Sequence, residues 1–514
     1  MPANLGAAAF VRPRPGVLLL VHFPLICALL LAAICGVGLA SRVATADSSR
    51  RLATADCRLE DAEHLRSIPA QCGELEVAED RAVPSSPRIR LKVALIPALK
   101  RSGPRDPLFV LSGGPGQAAS DFYVSAAGAF ARVQRQRDIV LVDQRGTGGS
   151  NALDCDYPEE DELAEMSPAQ IRRLTQTCLA ALKSDPRHYT TSVAVRDLDE
   201  VRAALGYERI NLYGVSYGTR VAQHYLRRYP ERVRAVILDG VVAPGLVLAA
   251  DSALQAQRAL DLIFERCRTD AACHAAFPDS AKEFATLRAR LTRQPAVISM
   301  ADPVAGVVTH ETIRTVHLQI ATRFLSYAPE RAALLPLLLH EAAARNNLAP
   351  LAAQAELLAT RYANSLSVGM HNAVVCTEDA PLIDPARIDR PALEKTYLGS
   401  LQLDGLLEIC KVWPHGTIDP DFHAPVDSAV PVLLLSGTAD PVTPPSYAEE
   451  ARRAFSQSVH VIIEGQGHGQ LGVGCVPRLL ADFLERGSTQ DLDVSCTKTI
   501  TPAPFFTSFA GPPP

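Results

Sequence analysis

The sequence predicts an α/β fold in which a mostly parallel sheet is flanked by helices and interrupted by an inserted helical cap. Three observations carry this. Short continuous apolar runs, Leu108–Leu111 and Ile139–Val142, each feed a glycine-rich turn, as buried parallel strands do before helices. Strand and helix patterns then alternate through Ile210–Tyr213, Thr219–Tyr229 and Val233–Leu238. Between about Ala243 and Ala429 the pattern turns Ala- and Leu-rich with helical period, before strand patterns resume at Val430–Leu435 and Val459–Ile463.

Taken in order, residues 1–46 have the layout of a secretory signal peptide. Arg12 and Arg14 precede an apolar run from Gly16 to Ala40, and Ala44-Thr45-Ala46 is a small-residue cleavage box. The run is also long enough for an uncleaved membrane anchor. Residues 47–242 read as the first half of the sheet domain, opening with Ile89–Val93, whose alternation of apolar and basic residues suits a half-buried strand at an antiparallel edge. Residues 243–429 form the expected cap, 430–500 the second half of the sheet, and the proline-rich 501–514 a loosely ordered tail.

The chain has 514 residues, 21% charged, with a net charge of −5, which offers no basic field for nucleic acid. Of twelve cysteines, two fall in the signal region. The other ten come as near neighbours: Cys57 and Cys72, Cys155 and Cys178, Cys267 and Cys273, Cys376 and Cys410, Cys475 and Cys496. Short loops close at least entropic cost, so consecutive pairing in an oxidising compartment is expected. Metal-ligand spacings such as C-x-x-C or H-E-x-x-H are absent from the sequence, and no cofactor or metal is expected.

The chemistry lies in Gly214-Val-Ser216-Tyr-Gly218, a G-x-S-x-G between a strand and an amphipathic helix. This is the nucleophile elbow of an α/β-hydrolase fold, in which the acid and then the histidine follow beyond later strands. Asp440 stands after Val430–Leu435 and His468 after Val459–Ile463, each in a turn rich in Gly or Pro. Asp239, at the end of Val233–Leu238, is a rival acid; His460 lies within a strand and reads as structural. Donors for an oxyanion are expected from the backbone of Tyr217 and of Gly114, in Ser112-Gly-Gly-Pro-Gly116.

These segments resemble the prolyl and tripeptidyl aminopeptidase family of serine peptidases. The likeness rests on Gly113-Gly-Pro-Gly116, on Asp143-Gln-Arg-Gly-Thr-Gly-Gly-Ser150, on the elbow, and on Cys267–Cys273 followed by Phe277-Pro278, and it runs from about Cys72 to Cys496. Ser112 departs from the histidine usual there in cytosolic prolyl members. The resemblance implies release of an N-terminal proline or tripeptide from peptides with a free N-terminus, without a cofactor. A free amine calls for a carboxylate, and Glu378 in Val375-Cys-Thr-Glu-Asp379 is the residue nominated. An ester hydrolase on the same fold, and a non-catalytic binding module, are the competing readings.

Overall fold

The structure is a computed structural model that describes residues 51–512 apart from 62, 63, 101, 159 and 304. The expected signal peptide lies outside the described residues. Nine strands form one sheet: β1 (Ala55–Glu60), β2 (Ser67–Ala78), β3 (Arg88–Ile96), β4 (Leu108–Leu111), β5 (Ile139–Val142), β6 (Ile210–Val215), β7 (Val233–Asp239), and, beyond a hairpin of β8 (Ala296–Ala301) and β9 (Val308–Ile313), β10 (Val432–Gly437) and β11 (Ser458–Ile463). Their order is β1-β2-β3-β5-β4-β6-β7-β10-β11. From β5 to β11 all neighbours are parallel, while β1, β2 and β3 pair antiparallel and join through β3 and β5.

The continuous apolar runs are explained by this placement. Phe109, Val140 and Leu212 point into one core, whereas Leu108, Val110, Ile139 and Tyr213 point into the other, so neither face of the central strands meets water. Ile89–Val93 does alternate as expected, with Ile89, Leu91 and Val93 buried. It is not an edge, however, because β2 and β1 lie outside it. Those two strands are polar enough in sequence (exposed Arg58, Glu74 and Glu76) to escape a hydrophobic-pattern reading.

Between β7 and β10 the chain is helical, with helices such as Ser252–Thr269, Thr315–Leu325, Ala349–Asn364 and Val368–Glu378, and it builds a core of its own around Leu260, Leu287, Leu318 and Leu351. Three details differ from expectation. The hairpin β8–β9 interrupts the helices. Met370, Val374, Leu406 and Trp413 pack into the sheet's core rather than this one, and the described residues form one compact unit. The proline-rich tail is anchored, because Phe505 is buried in the helical core and the Phe506 amide donates to the Ala333 carbonyl at 3.1 Å. All five consecutive cysteine pairs lie at disulfide distance, with Cα–Cα separations of 4.9 to 6.4 Å. Among the described residues no helix is long and apolar enough to cross a membrane.

Candidate active site

Strand β6, buried throughout, delivers Ser216 at φ 54°, ψ −125°, and the helix Tyr217–Arg228 starts at the next residue. A serine held there stores strain of ~1–3 kcal/mol, which the surroundings must over-determine. They do so by closeness. A Cβ on Gly214 would lie 2.3 Å from the Gly218 carbonyl oxygen, and one on Gly218 would lie 2.2 Å from that of Leu111. Both glycines of the elbow are therefore there for space. The Ser216 amide donates to the Asp239 carbonyl at 2.9 Å, tying the elbow to the end of β7.

Asp440 follows β10 and is fully buried. Its Oδ1 accepts from the amides of Val442 and Thr443 at 2.8 and 2.9 Å; its Oδ2 accepts from Thr443 Oγ1 at 2.8 Å and meets His468 Nδ1 at 2.8 Å. Burial by itself would raise this carboxyl's pKa, but the charge and hydrogen bond of His468 and the two amides outweigh it and hold the pKa below the ordinary range. The reverse applies to His468: burial would lower its pKa, and Asp440 raises it above the usual value. The imidazole is seated against the chain after β7, where a Cβ on Gly240 would approach its Cε1 to 3.1 Å.

Asp239, the rival acid, has another task. Its buried carboxylate accepts from Tyr213 Oη at 2.8 Å and from the amides of Gln470 and Leu471, at 2.7 and 2.9 Å. It thus pins the loop that carries His468 while the imidazole faces Asp440. Burial pushes the Asp239 pKa up to about 6. Among the described residues no hydrogen bond joins Ser216 Oγ to His468 Nε2; such contacts commonly tighten only with substrate bound.

The loop after β4 lies over the elbow, with the position of a Gly113 Cβ 3.1 Å from Ser216 Cβ. Gly114 and Gly116 adopt φ 104° and 109°, open to glycine alone, and Ser112 Oγ donates to the Gln117 carbonyl at 2.5 Å across the turn. The Tyr217 amide stands in the first turn of its helix, where backbone donors have no partner within the helix. Gly113, next to Gly114 in this loop, is thereby brought against Ser216, and Tyr217 follows Ser216 directly in the chain.

A family model described as alpha/beta hydrolase fold matches residues 106–474. The chain belongs to the α/β-hydrolase family. With serine at the elbow it is a serine hydrolase. Curated relatives include a tripeptidyl aminopeptidase of Streptomyces coelicolor, 27% identical over 85% of this chain and 84% of that one, and the serine protease Hip1 of Mycobacterium tuberculosis, 25% identical over 83% and 87%. A protein of Mycobacterium tuberculosis named carboxylesterase B is 27% identical over 86% of this chain and 89% of its own.

In this hydrolase the Asp143–Ser150 segment is scaffold. Asp143 accepts from Ser120 and from the Gly149 amide, and Arg145, fully buried, grips Asp197 with two bonds of 2.6 and 2.8 Å. Gln144 donates to Tyr217 Oη at 3.0 Å, which places it under the elbow helix. Glu378 is not brought to an open face of the site. It has no exposed surface; its Oε1 accepts from the Thr191 amide at 2.7 Å, its Oε2 from Thr191 Oγ1 at 3.0 Å, and Arg220 stands 3.6 Å away. Burial pushes its pKa up to about 7. Thr191 Oγ1 in turn meets Tyr217 Oη at 2.6 Å, so Glu378 supports the elbow from behind.

Several contributors escaped the sequence reading. Thr443 bonds the Asp440 carboxylate; it stands three residues after the aspartate, a spacing typical of an Asp side chain closing its own turn, and could have been found. Tyr327, Arg258 and Arg323, from the helical segment, hold the loops of Asp440 and His468 through backbone carbonyls and an amide. No local sequence signal marks them.

Proposed function

We propose that this serine hydrolase is an exported aminopeptidase that releases a proline or a short, tripeptide-like unit from peptides with a free N-terminus. Ser216 acts as nucleophile, His468 as general base and Asp440 as orienting acid. The observation that carries the catalytic part is the 2.8 Å contact of Asp440 with His468 Nδ1 in loops beside the elbow. With its Nδ1–H donated to Asp440, the imidazole leaves Nε2 unprotonated to take the Ser216 proton. Ser216 Oγ then bonds to the scissile carbonyl carbon, and the oxyanion is received by the amides of Gly114 and Tyr217. His468 returns the proton to the departing amine. Water, deprotonated by the same imidazole, cleaves the acyl-enzyme and regenerates Ser216. No metal or organic cofactor enters these steps.

The peptidase reading is supported by the peptidase names of relatives that match most of both chains. Export is supported by the five cysteine pairs at disulfide distance. Glu378 is reassigned from amine binding to support of Tyr217, because a carboxylate without exposed surface and with its oxygens engaged does not receive a substrate amine. An ester hydrolase is the second reading, favoured by the carboxylesterase relative at equal identity.

The deciding experiment compares Pro-, Ala- and tripeptidyl chromogenic amides, free and N-acetylated, with p-nitrophenyl acetate. Turnover of amides only with the free amine supports the aminopeptidase; turnover of the ester alone moves the protein to the esterases. Ser216→Ala is expected to lower kcat by ~10³ or more with the fold intact.

A further inference from the structure

We propose that Arg323 is a positioning residue of the triad, through which the helical segment sets the relative placement of the acid and histidine loops. The inference rests on the serine-hydrolase reading above. Arg323 lies on the helix Thr315–Leu325 and is buried. Its Nη1 donates to the Pro441 carbonyl at 2.9 Å and its Nη2 to Ser252 Oγ at 3.0 Å. Pro441 sits between Asp440 and the two amides, of Val442 and Thr443, that cradle the Asp440 carboxylate. The guanidinium therefore fixes the peptide that determines where that carboxylate points.

The same guanidinium lies over the ring of Tyr327, 5.6 Å from its centroid. Tyr327 holds the other loop: its carbonyl accepts from the His468 amide at 2.7 Å, and its ring meets the imidazole edge-on at 5.4 Å. Contact here is close, since a Cβ on Gly467 would fall 2.2 Å from the Tyr327 carbonyl oxygen. Arg258, on the helix Ser252–Thr269, adds bonds to the carbonyls of Thr438 and Asp440, at 2.8 and 2.5 Å. Of these residues Arg323 alone reaches both loops, one directly and one through Tyr327.

An arginine suits the position. Its planar fork bonds two separated oxygens while its face stacks on an aromatic ring, and a charge-assisted bond to a carbonyl resists displacement better than a neutral one. Arg323 is buried with both terminal nitrogens engaged within the protein, so its loss should leave binding alone and lower the rate of bond-making at Ser216.

The test compares the wild type with Arg323→Met, which keeps length and bulk, and Arg323→Lys, which keeps the charge and one donor. Two readouts are taken per folded molecule: kcat and KM on p-nitrophenyl acetate, and the second-order rate of inactivation by a fluorophosphonate. Arg323→Met is expected to lower kcat and the inactivation rate by ~30-fold or more, with KM within about twofold, and Arg323→Lys to recover part of both. A merely structural arginine would lower the melting temperature and leave both rates per folded molecule unchanged; that result overturns the proposal. Should Arg323→Met fail to fold, Arg323→Lys decides: a kcat reduced by about threefold or more at unchanged KM supports the proposal, and wild-type kcat overturns it. A wild-type chain that neither reacts with the probe nor turns over the ester overturns the serine-hydrolase reading and this inference with it. A reactive wild type with unaffected variants overturns the inference alone.

Discussion

Replacing Asp440 by asparagine tests the proposed triad at its most constrained point. Asn has the same shape, and its orientation is dictated by the structure: Oδ1 accepts two backbone amides at 2.8 and 2.9 Å, so the carbonyl oxygen must stay there. The new amide nitrogen then occupies the place of Oδ2, facing His468 Nδ1 at 2.8 Å. Two donors cannot face each other, and the imidazole answers by moving its proton to Nε2. An N–H would then point toward Ser216 where a lone pair is needed. Loss of the correct tautomer costs about 10⁴-fold in kcat, equivalent to about 5.4 kcal/mol of transition-state stabilisation. Folding should be nearly unaffected, since the cavity, the backbone bonds and the packing persist. The assay is kcat for p-nitrophenyl acetate and for whichever amide the wild type cleaves, per folded molecule. A kcat of Asp440→Asn within tenfold of wild type would refute the reasoning.

The remaining predictions concern the base, the elbow, a buried acid and a cross-link. In the wild type, activity should rise with pH as His468 loses its proton, with a midpoint above the ordinary histidine value because Asp440 favours the charged ring; a pH–rate profile of kcat/KM with a midpoint below 6.5 counts against it. Gly218→Ala drives a methyl into the Leu111 carbonyl and should destabilise the fold by ~3 kcal/mol, read from denaturant midpoints. Glu378, with its pKa raised to about 7, keeps a proton in the folded state that the unfolded chain has already released above its ordinary 4.5. Its contribution is therefore complete below that value and declines as pH rises toward 7. Glu378→Gln should flatten this decline, and an unchanged slope of stability against pH would contradict it. Removing the Cys376–Cys410 bridge, with a sequence separation of 34, should cost ~4 kcal/mol by the chain-entropy relation, again from unfolding curves.

What could be read beforehand follows the range of the physics involved. The elbow is written in nine consecutive residues whose strand, glycines and helix all act locally, and Ser216 was legible. Asp440 and His468 were legible because strands β10 and β11 announce themselves as apolar runs and the residues sit just past their ends. The choice between Asp239 and Asp440 rested on order and position along the chain; in the structure one carboxylate grips the histidine loop from behind and the other meets the ring. Glu378 failed as an amine-binding nomination because an acidic pair beside a cysteine looks exposed in sequence, whereas Arg220 and Thr191 come from far along the chain to bury it. The same distance hides Arg323 and Tyr327. Phe505 gave a signal, an aromatic residue in a proline-rich tail, that the overall composition masked.

The bridges have a consequence for how this protein matures. Each joins cysteines that are neighbours among the described ones, with separations between 6 and 34 residues, while Ser216 and His468 stand on opposite sides of the whole helical segment. Every native thiol partner is thus the one that chain diffusion encounters first. Oxidation in chain order from the N-terminus, as each cysteine emerges after its mate, yields the native set without reshuffling. Correct cross-linking therefore does not wait for the long-range meeting of the loops that carry Ser216 and His468.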